Sequence, residues 1–348
     1  MKALVYHGHG STSWDTVPDA RVQDPTDIVV RVDTTTICGT DLHILQGDVP
    51  AVRPGRVLGH EAVGTIVDVG PAVSTLAVGD RVLVPAITSC GACLYCRRRM
   101  PSHCQAVGGI GWVFGHLIDG TQAEYVRVPF GQTSVHRVPE GMRDDQVIFL
   151  ADIFPTGFEM GIRYGGVQPG DVVAVIGVGP VGLAAVATAG LYGAATVVAV
   201  GRSRPRIDQA LTMGATHGVS TQDPDWREQV LALTDGLGVD VAVEAVGVPE
   251  TLEHAFGLVR PGGRVANAGV HGRPVELPIQ DLWIQNITFT TGLVDGTTVP
   301  VLLDLIRAGK LRPEVMGTHH FVLDEIEKAY DVFAHAAEHE CLKTVITR

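Results

Sequence analysis

Along the first 150 or so residues, short apolar runs are cut by Gly, Pro and Asp. Examples are Asp27-Ile28-Val29-Val30-Arg31-Val32, Gly64-Thr65-Ile66-Val67-Asp68-Val69 and Asp80-Arg81-Val82-Leu83-Val84. Short runs rich in Val and Ile and bounded by turn formers predict β-strands, so this region reads as mostly β with long loops. From about Thr156 the pattern changes. Apolar runs at Asp171–Ile176, Thr196–Val200, Asp240–Glu244 and Gly263–Ala268 alternate with helical stretches at Pro180–Tyr192, Ser203–Met213, Asp225–Thr234 and Glu250–Val259. That alternation predicts a doubly wound parallel sheet, whose strands are buried on both faces and so read as unbroken apolar segments. The tail has a helix-like stretch, Asp324–His335, and a strand-like end, Thr344–Ile346.

No charged residue lies between Asp171 and Arg202, a stretch long enough to cross a bilayer. Gly177, Gly179, Pro180 and Gly182 near its start and Gly190 and Gly193 near its end break it, which favours strand–turn–helix–strand. The segment Met1-Lys2-Ala3-Leu4-Val5-Tyr6-His7 lacks the apolar core of an export signal, so a cytoplasmic location is expected. A chain of 348 residues is long enough for two domains. Lys+Arg 26 against Asp+Glu 38 gives a net charge of −12, which disfavours nucleic acid or an anionic membrane as the main partner. Lys2, Lys310, Lys328 and Lys343 are the only lysines. Arginine is therefore the default cation, and a single Arg is no clue by itself. Six cysteines in a reducing compartment point to thiols or metal ligands rather than disulfides.

Four of them form Cys90-x2-Cys93-x2-Cys96-x7-Cys104, with Arg97, Arg98 and Arg99 alongside. Four thiolates at short spacing suit a closed tetrahedral zinc site, which stabilises a loop and leaves no position open for chemistry. An iron–sulfur cluster is the competing reading, but the spacing fits neither usual ferredoxin pattern. A second candidate is open: Cys38 in Ile37-Cys38-Gly39-Thr40-Asp41-Leu42-His43 and His60 in Gly59-His60-Glu61. Cys and neutral His are good zinc ligands, and a third from elsewhere would leave one position for water or substrate. Taken singly, each also reads as a buried thiol or a histidine satisfied by a carbonyl. Finally, Gly177-Val178-Gly179-Pro180-Val181-Gly182 follows a predicted strand and opens a predicted helix. In that context glycines let a pyrophosphate approach the backbone at a helix N-terminus.

Together, Cys38-Gly39-Thr40-Asp41-Leu42-His43, Gly59-His60-Glu61 running into Gly64, the four-cysteine loop and Gly177-x-Gly179-x-x-Gly182 resemble the zinc-dependent medium-chain alcohol dehydrogenases over nearly the whole chain. The resemblance implies a Rossmann coenzyme-binding domain at about 155–296 inserted into a mostly β, GroES-like catalytic domain at about 1–154 and 297–348. It implies two zincs per subunit. Cys38 and His60 match ligands of the catalytic one. Asp152, in Leu150-Ala151-Asp152-Ile153-Phe154-Pro155, looks like the third, and Glu61 like the neighbouring carboxylate. Asp41 is similar to the carboxylate that orients the His ligand. Thr40 and His43 match a proton relay in which a hydroxyl takes the alcohol proton and a histidine delivers it to solvent. Cys90, Cys93, Cys96 and Cys104 match the structural zinc. The implied reaction is hydride transfer between a primary or secondary alcohol and a nicotinamide, in a dimer or tetramer.

Two finer expectations concern specificity. NAD-binding Rossmann domains place an acid about 20 residues after the glycine loop, at the end of the second strand in this family, where this chain has Gly201 followed by Arg202-Ser203-Arg204. The missing acid and the neighbouring cations favour NADP over NAD, although a tyrosine used by NADP-dependent relatives looks replaced near Thr221. Trp112, in Ile110-Gly111-Trp112-Val113, resembles a pocket-lining Trp of secondary alcohol dehydrogenases, with core packing as its plainer reading. Alternatives within the fold are an NAD-dependent polyol or formaldehyde dehydrogenase and a zinc-free quinone reductase. A zinc-stabilised binding protein is the alternative of another class. The pair His335-Ala336-Ala337-Glu338-His339 matches an inverted zinc-peptidase pattern, but at the end of a short helix it reads as a solvated face.

Overall fold

The computed structural model describes residues 1–348 and contains two compact units. One comprises Met1–Asp152 and Asp295–Arg348, the other Ile153–Val294. No helix is long and apolar enough to cross a membrane.

The first unit is built on two sheets. Ser11–Thr16, Lys2–Gly8 and Arg56–Val57 form a three-stranded antiparallel sheet. The larger sheet runs Gly317–Val322, Lys343–Thr347, Ile28–Thr35, Ala62–Val69, Arg81–Val84 and His136–Arg137, with Tyr125–Val128 also paired to Ile28–Thr35. A bridge between Ala3 and Ala123 links the two sheets. Ile28, Val30, Val32, Ile66, Val82, Val84, Phe114 and Val126 fill one core cluster. Their spacing by two along Ile28–Thr35 reflects the pleat, which sends alternate side chains to one face. The longest helices to escape the sequence reading are Gly39–Gln46, which carries Thr40, Asp41 and His43, and Val299–Arg307. The first is short and polar on most positions, so it carries little apolar periodicity.

The second unit is a six-stranded parallel sheet in the order His217–Ser220, Thr196–Gly201, Val172–Ile176, Val239–Glu244, Val259–Asn267, Thr288–Thr291. Connections run outward in both directions from Val172–Ile176, so a topological switch point lies at its carboxyl end, where the glycine loop begins. Val173, Ala174, Val175 and Ile176 are all buried, as required of a strand covered by helices on both faces. The uncharged stretch after Asp171 resolves into the strand Val172–Ile176, the helix Pro180–Ala189 and the strand Thr196–Gly201. The helix stops short of the expected Tyr192 because the chain turns through Gly190 to Gly193, whose φ is +107°. The edge strands His217–Ser220 and Thr288–Thr291 were missed, being short and half polar.

Gly177 has φ +104°, and a Cβ on Gly182 would sit 1.8 Å from the Gly177 carbonyl oxygen. The helix therefore starts against the strand end only if residue 182 has no side chain. A Cβ at Gly190, the other end of this helix, would meet nothing within 4 Å. Gly182→Ala should cost about 1–3 kcal/mol in a thermal or urea melt. Gly190→Ala should be neutral or slightly stabilising. Equal melting of Gly182→Ala and the unmodified protein would contradict this account of the loop.

Candidate active site

Two clusters in the first unit bring potential metal ligands together. In each, one donor atom per residue lies within 4.8 Å of all the others. The clusters are Cys90, Cys93, Cys96 and Cys104, and Cys38, His60, Glu61 and Asp152.

The four-cysteine loop folds around its sulfurs. The N–H of Cys90 points to Cys104 Sγ at 3.3 Å, that of Cys93 to Cys90 Sγ at 3.4 Å, and that of Gln105 to Cys93 Sγ at 3.5 Å. Backbone N–H groups of Cys96 and Gln105 hold the Cys93 thiol down at about 6. Burial and the neighbouring thiols of Cys93 and Cys104 push Cys96 up to about 12. Four sulfurs this close cannot all ionise unless a cation offsets their charge, so the donor set fits a soft divalent metal such as zinc. Ser102, inside the loop, donates from its N–H and Oγ to Asp295 Oδ1 at 3.2 and 2.6 Å, tying the loop to the chain's return into this unit.

The second cluster is almost wholly buried, with Cys38 7%, His60 3% and Glu61 1% exposed. Cys38 caps the helix Gly39–Gln46, and Asp41 in the first turn accepts the Cys38 N–H at 2.9 Å. Gln122 Nε2 donates to the same Asp41 oxygen at 3.1 Å, and Tyr330 Oη donates to Gln122 Oε1 at 2.8 Å. Asp41 is thereby fixed with its other oxygen 3.6 Å from His60 Nδ1. His60 Nε2 faces Asp152 Oδ2 at 3.5 Å, and that oxygen is 3.5 Å from Cys38 Sγ. One imidazole nitrogen thus meets the carboxylate of Asp41 while the other turns into the cluster, the arrangement of a metal-ligating histidine and its orienting acid.

The electrostatics suit a bound cation. Burial disfavours a protonated His60, yet Asp41, Asp152 and Cys38 together outweigh it and raise its pKa well above the ordinary value. Burial and the nearby Asp152 raise the Cys38 thiol. Glu61 Oε2 and Asp41 Oδ1 are buried without a hydrogen-bond partner. A divalent cation supplies what these groups lack, and the mix of one thiolate, one imidazole and carboxylates suits zinc.

Lys343 was not singled out from sequence. It is completely buried, donates to the Ile37 carbonyl at 2.6 Å and pairs with Glu61 Oε1 at 3.0 Å. Burial opposes its charge, but Glu61 and Cys38 more than compensate and raise its pKa. Its sequence signal was its rarity: one of four lysines, immediately before the strand-like end Thr344–Ile346. His116 was also missed. Its ring stacks on Trp112 at 4.4 Å between centroids, and Trp112 meets His60 edge-on at 6.1 Å. The structure therefore places Trp112 beside the second cluster. Thr40 Oγ1 lies 3.7 Å from Cys38 Sγ, and His43 follows it by three on the same helix.

In the second unit, Gly177 and Gly182 are buried, whereas Gly179, Pro180 and Val181 are partly open at the start of the helix. No side chain caps that helix, so its first N–H groups are available to an anion. A Cβ on Gly179 would meet nothing within 4 Å, leaving room for a phosphate. Gly201 is glycine for a reason of packing. A Cβ there would lie 2.3 Å from Val178 Cγ2, so the glycine makes way for the loop itself. Arg204 is not free either: its Nη2 pairs with Asp223 at 2.7 and 3.0 Å. Arg202 and Ser203 lie nearby, with Arg202 exposed. The His335–His339 pair does not share a helical face, because the helix Ile326–Ala334 ends before it.

Comparison with known proteins agrees with this fold. The alcohol dehydrogenase GroES-like domain matches residues 24–140, and the zinc-binding dehydrogenase domain matches residues 180–308. A zinc-dependent alcohol dehydrogenase of Streptococcus pneumonia, solved in apo form, has a TM-score of 0.95 and 45% identity, covering 100% of this chain and 98% of that one. An alcohol dehydrogenase of Cupriavidus necator is 36% identical over 96% of this chain and 95% of its own. An NADP-dependent isopropanol dehydrogenase of Thermoanaerobacter brockii is 34% identical over 95% of each. With a Rossmann sheet, a GroES-like unit and these matches along its length, the chain belongs to the zinc-dependent medium-chain alcohol dehydrogenase family.

Proposed function

We propose that the protein transfers a hydride between a small primary or secondary alcohol and NADP, running from aldehyde or ketone in reverse, with two zincs per subunit. The observation that carries this reading is the convergence of Cys38, His60, Glu61 and Asp152 in one cluster, with Glu61 Oε2 buried and unpartnered. Cys38, His60 and Asp152 would hold the catalytic zinc, with Glu61 as the adjacent carboxylate kept in place by Lys343. Zinc there supplies a Lewis acid that acidifies an alcohol, and the coenzyme supplies the hydride acceptor. The chain's own part is positioning and proton handling. Asp41 fixes the His60 ring, Trp112 packs a wall beside it, and the Thr40 hydroxyl takes the alcohol proton and passes it towards His43. The loop Gly177–Gly182 would bind the coenzyme pyrophosphate. In the same reading Cys90, Cys93, Cys96 and Cys104 hold a zinc that does no chemistry. A homo-oligomer fits the second unit's edge strand Thr288–Thr291 and the exposed Trp283 and Ile284 just before it.

The two metal sites should fail differently. Cys38→Ser or His60→Ala should reduce turnover by at least a thousandfold with a near-native melting temperature. Cys93→Ser should lose one zinc by metal analysis and melt several degrees lower, because structural zinc contributes folding free energy. Full stability of Cys93→Ser with one zinc would remove the structural assignment.

The preference for NADP rests on the missing acid at Gly201, on Arg202 and Ser203, and on similarity to a relative named as NADP-dependent. The Arg204–Asp223 pair favours the second reading, NAD, because it spends one cation and brings a carboxylate near. We expect kcat/KM with NADP to exceed that with NAD, and Arg202→Ala to weaken NADP alone by roughly tenfold. A clear preference for NAD in the unmodified protein would refute the claim. Gly201→Asp is a poor converse test unless Val178 is also reduced, since the new side chain collides with it.

Trp112 should set the size limit for substrate. Trp112→Ala should shift kcat/KM towards bulkier ketones by about tenfold or more, and an unchanged substrate profile in a folded variant would return Trp112 to plain packing.

A further inference from the structure

The helix Gly39–Gln46 ends at Gly47, whose φ of +83° reverses the chain. The reversal is locked by two backbone bonds, Gly47 N–H to the Ile44 carbonyl at 3.0 Å and Asp48 N–H to the His43 carbonyl at 3.0 Å. A left-handed residue at this position folds the next side chain back over the last helical turn. Here that side chain is Asp48, and its Oδ2 meets His43 Nδ1 at 2.8 Å. An ionised carboxylate can only accept, so Nδ1 carries the hydrogen and Nε2 is left as the acceptor. The pair is partly open, with His43 35% and Asp48 41% exposed. Such a surface pair adds little to stability, which directs attention to what it does to the ring. His9 is the other titratable group at this turn: its Cδ2 lies 3.5 Å from where a Cβ on Gly47 would be.

We infer that Asp48 is a positioning residue for proton release, holding His43 in the tautomer that can accept a proton at Nε2. The inference rests on the proposed relay through Thr40 and His43. As the Thr40 hydroxyl takes the alcohol proton at Oγ1, its own proton passes to His43 Nε2, directly or through one intervening hydroxyl or water. The Asp48 carboxylate stabilises the doubly protonated ring until the proton leaves to solvent. With the opposite tautomer, Nε2 would carry a hydrogen and have no lone pair to receive one.

Two kinds of measurement test this on the zinc-loaded protein. Side-chain 15N NMR of His43 should show the Nδ1–H tautomer in the unmodified protein and a shift towards Nε2–H in Asp48→Asn, whose amide can donate to Nδ1. For the fastest alcohol in a substrate screen, Asp48→Asn should lower kcat tenfold or more with KM and melting temperature nearly unchanged. The loss should be at least that of Asp48→Ala, whereas a merely structural Asp48 predicts that the isosteric Asn is the milder change. Asp48→Glu, or added imidazole buffer, should restore part of the rate. Adding Asp48→Asn to His43→Ala should cost nothing further. An unshifted tautomer or an unchanged kcat in Asp48→Asn, while His43→Ala is slow, overturns the role of Asp48 and leaves the relay standing. An unimpaired His43→Ala overturns the relay, and this inference with it.

Discussion

The first unit gathers a thiol and three carboxyl groups around one imidazole, almost out of reach of water. Cys38, Glu61, Asp41 and Asp152 crowd His60 in a pocket where Glu61 and Asp41 are each 1% exposed. Burying such charges costs several kcal/mol apiece unless partners repay it. Lys343 supplies one positive charge from a strand at the far end of the sequence, and a zinc ion fits the remaining deficit. Much of the surrounding fold is arranged to hold these groups still. The helix cap fixes Asp41, and Gln122 and Tyr330 brace it, with its other oxygen 3.6 Å from His60 Nδ1.

The second unit solves a different problem with almost no charge. Its sheet and first helix approach each other closely at the glycine loop. That closeness is bought with glycine at 177 and 182. The same economy of space explains Gly201, where Val178 of the loop occupies the volume a side chain would need. The absence of an acid there therefore has a packing cause. Arg204 carries a related lesson. A cation that looks available in sequence is paired across the turn with Asp223.

The doubly wound sheet was legible because parallel strands buried on both faces leave unbroken apolar runs between helical ones. The four-cysteine cluster was visible through its short spacing in one loop, whereas Cys38, His60, Glu61 and Asp152, scattered from 38 to 152, were grouped only through the family resemblance. Less visible were elements whose stability comes from neighbours rather than from their own pattern, such as the edge strands and the helix that carries Thr40, Asp41 and His43.

Sequence alone thus determined which residue types could bind metal and phosphate, since thiols, imidazole and glycine declare their chemistry wherever they stand. Only the tertiary structure decided which charges meet. Lys343 reaches Glu61 across 282 positions of sequence, and Tyr330 reaches Gln122 across 208. Local patterning carries no record of such pairings, because they are set by strand order and packing. The 2.8 Å contact between Asp48 and His43 lies at the boundary. The residues are five apart and plain to read, but the left-handed turn at Gly47 is what brings carboxylate and ring together.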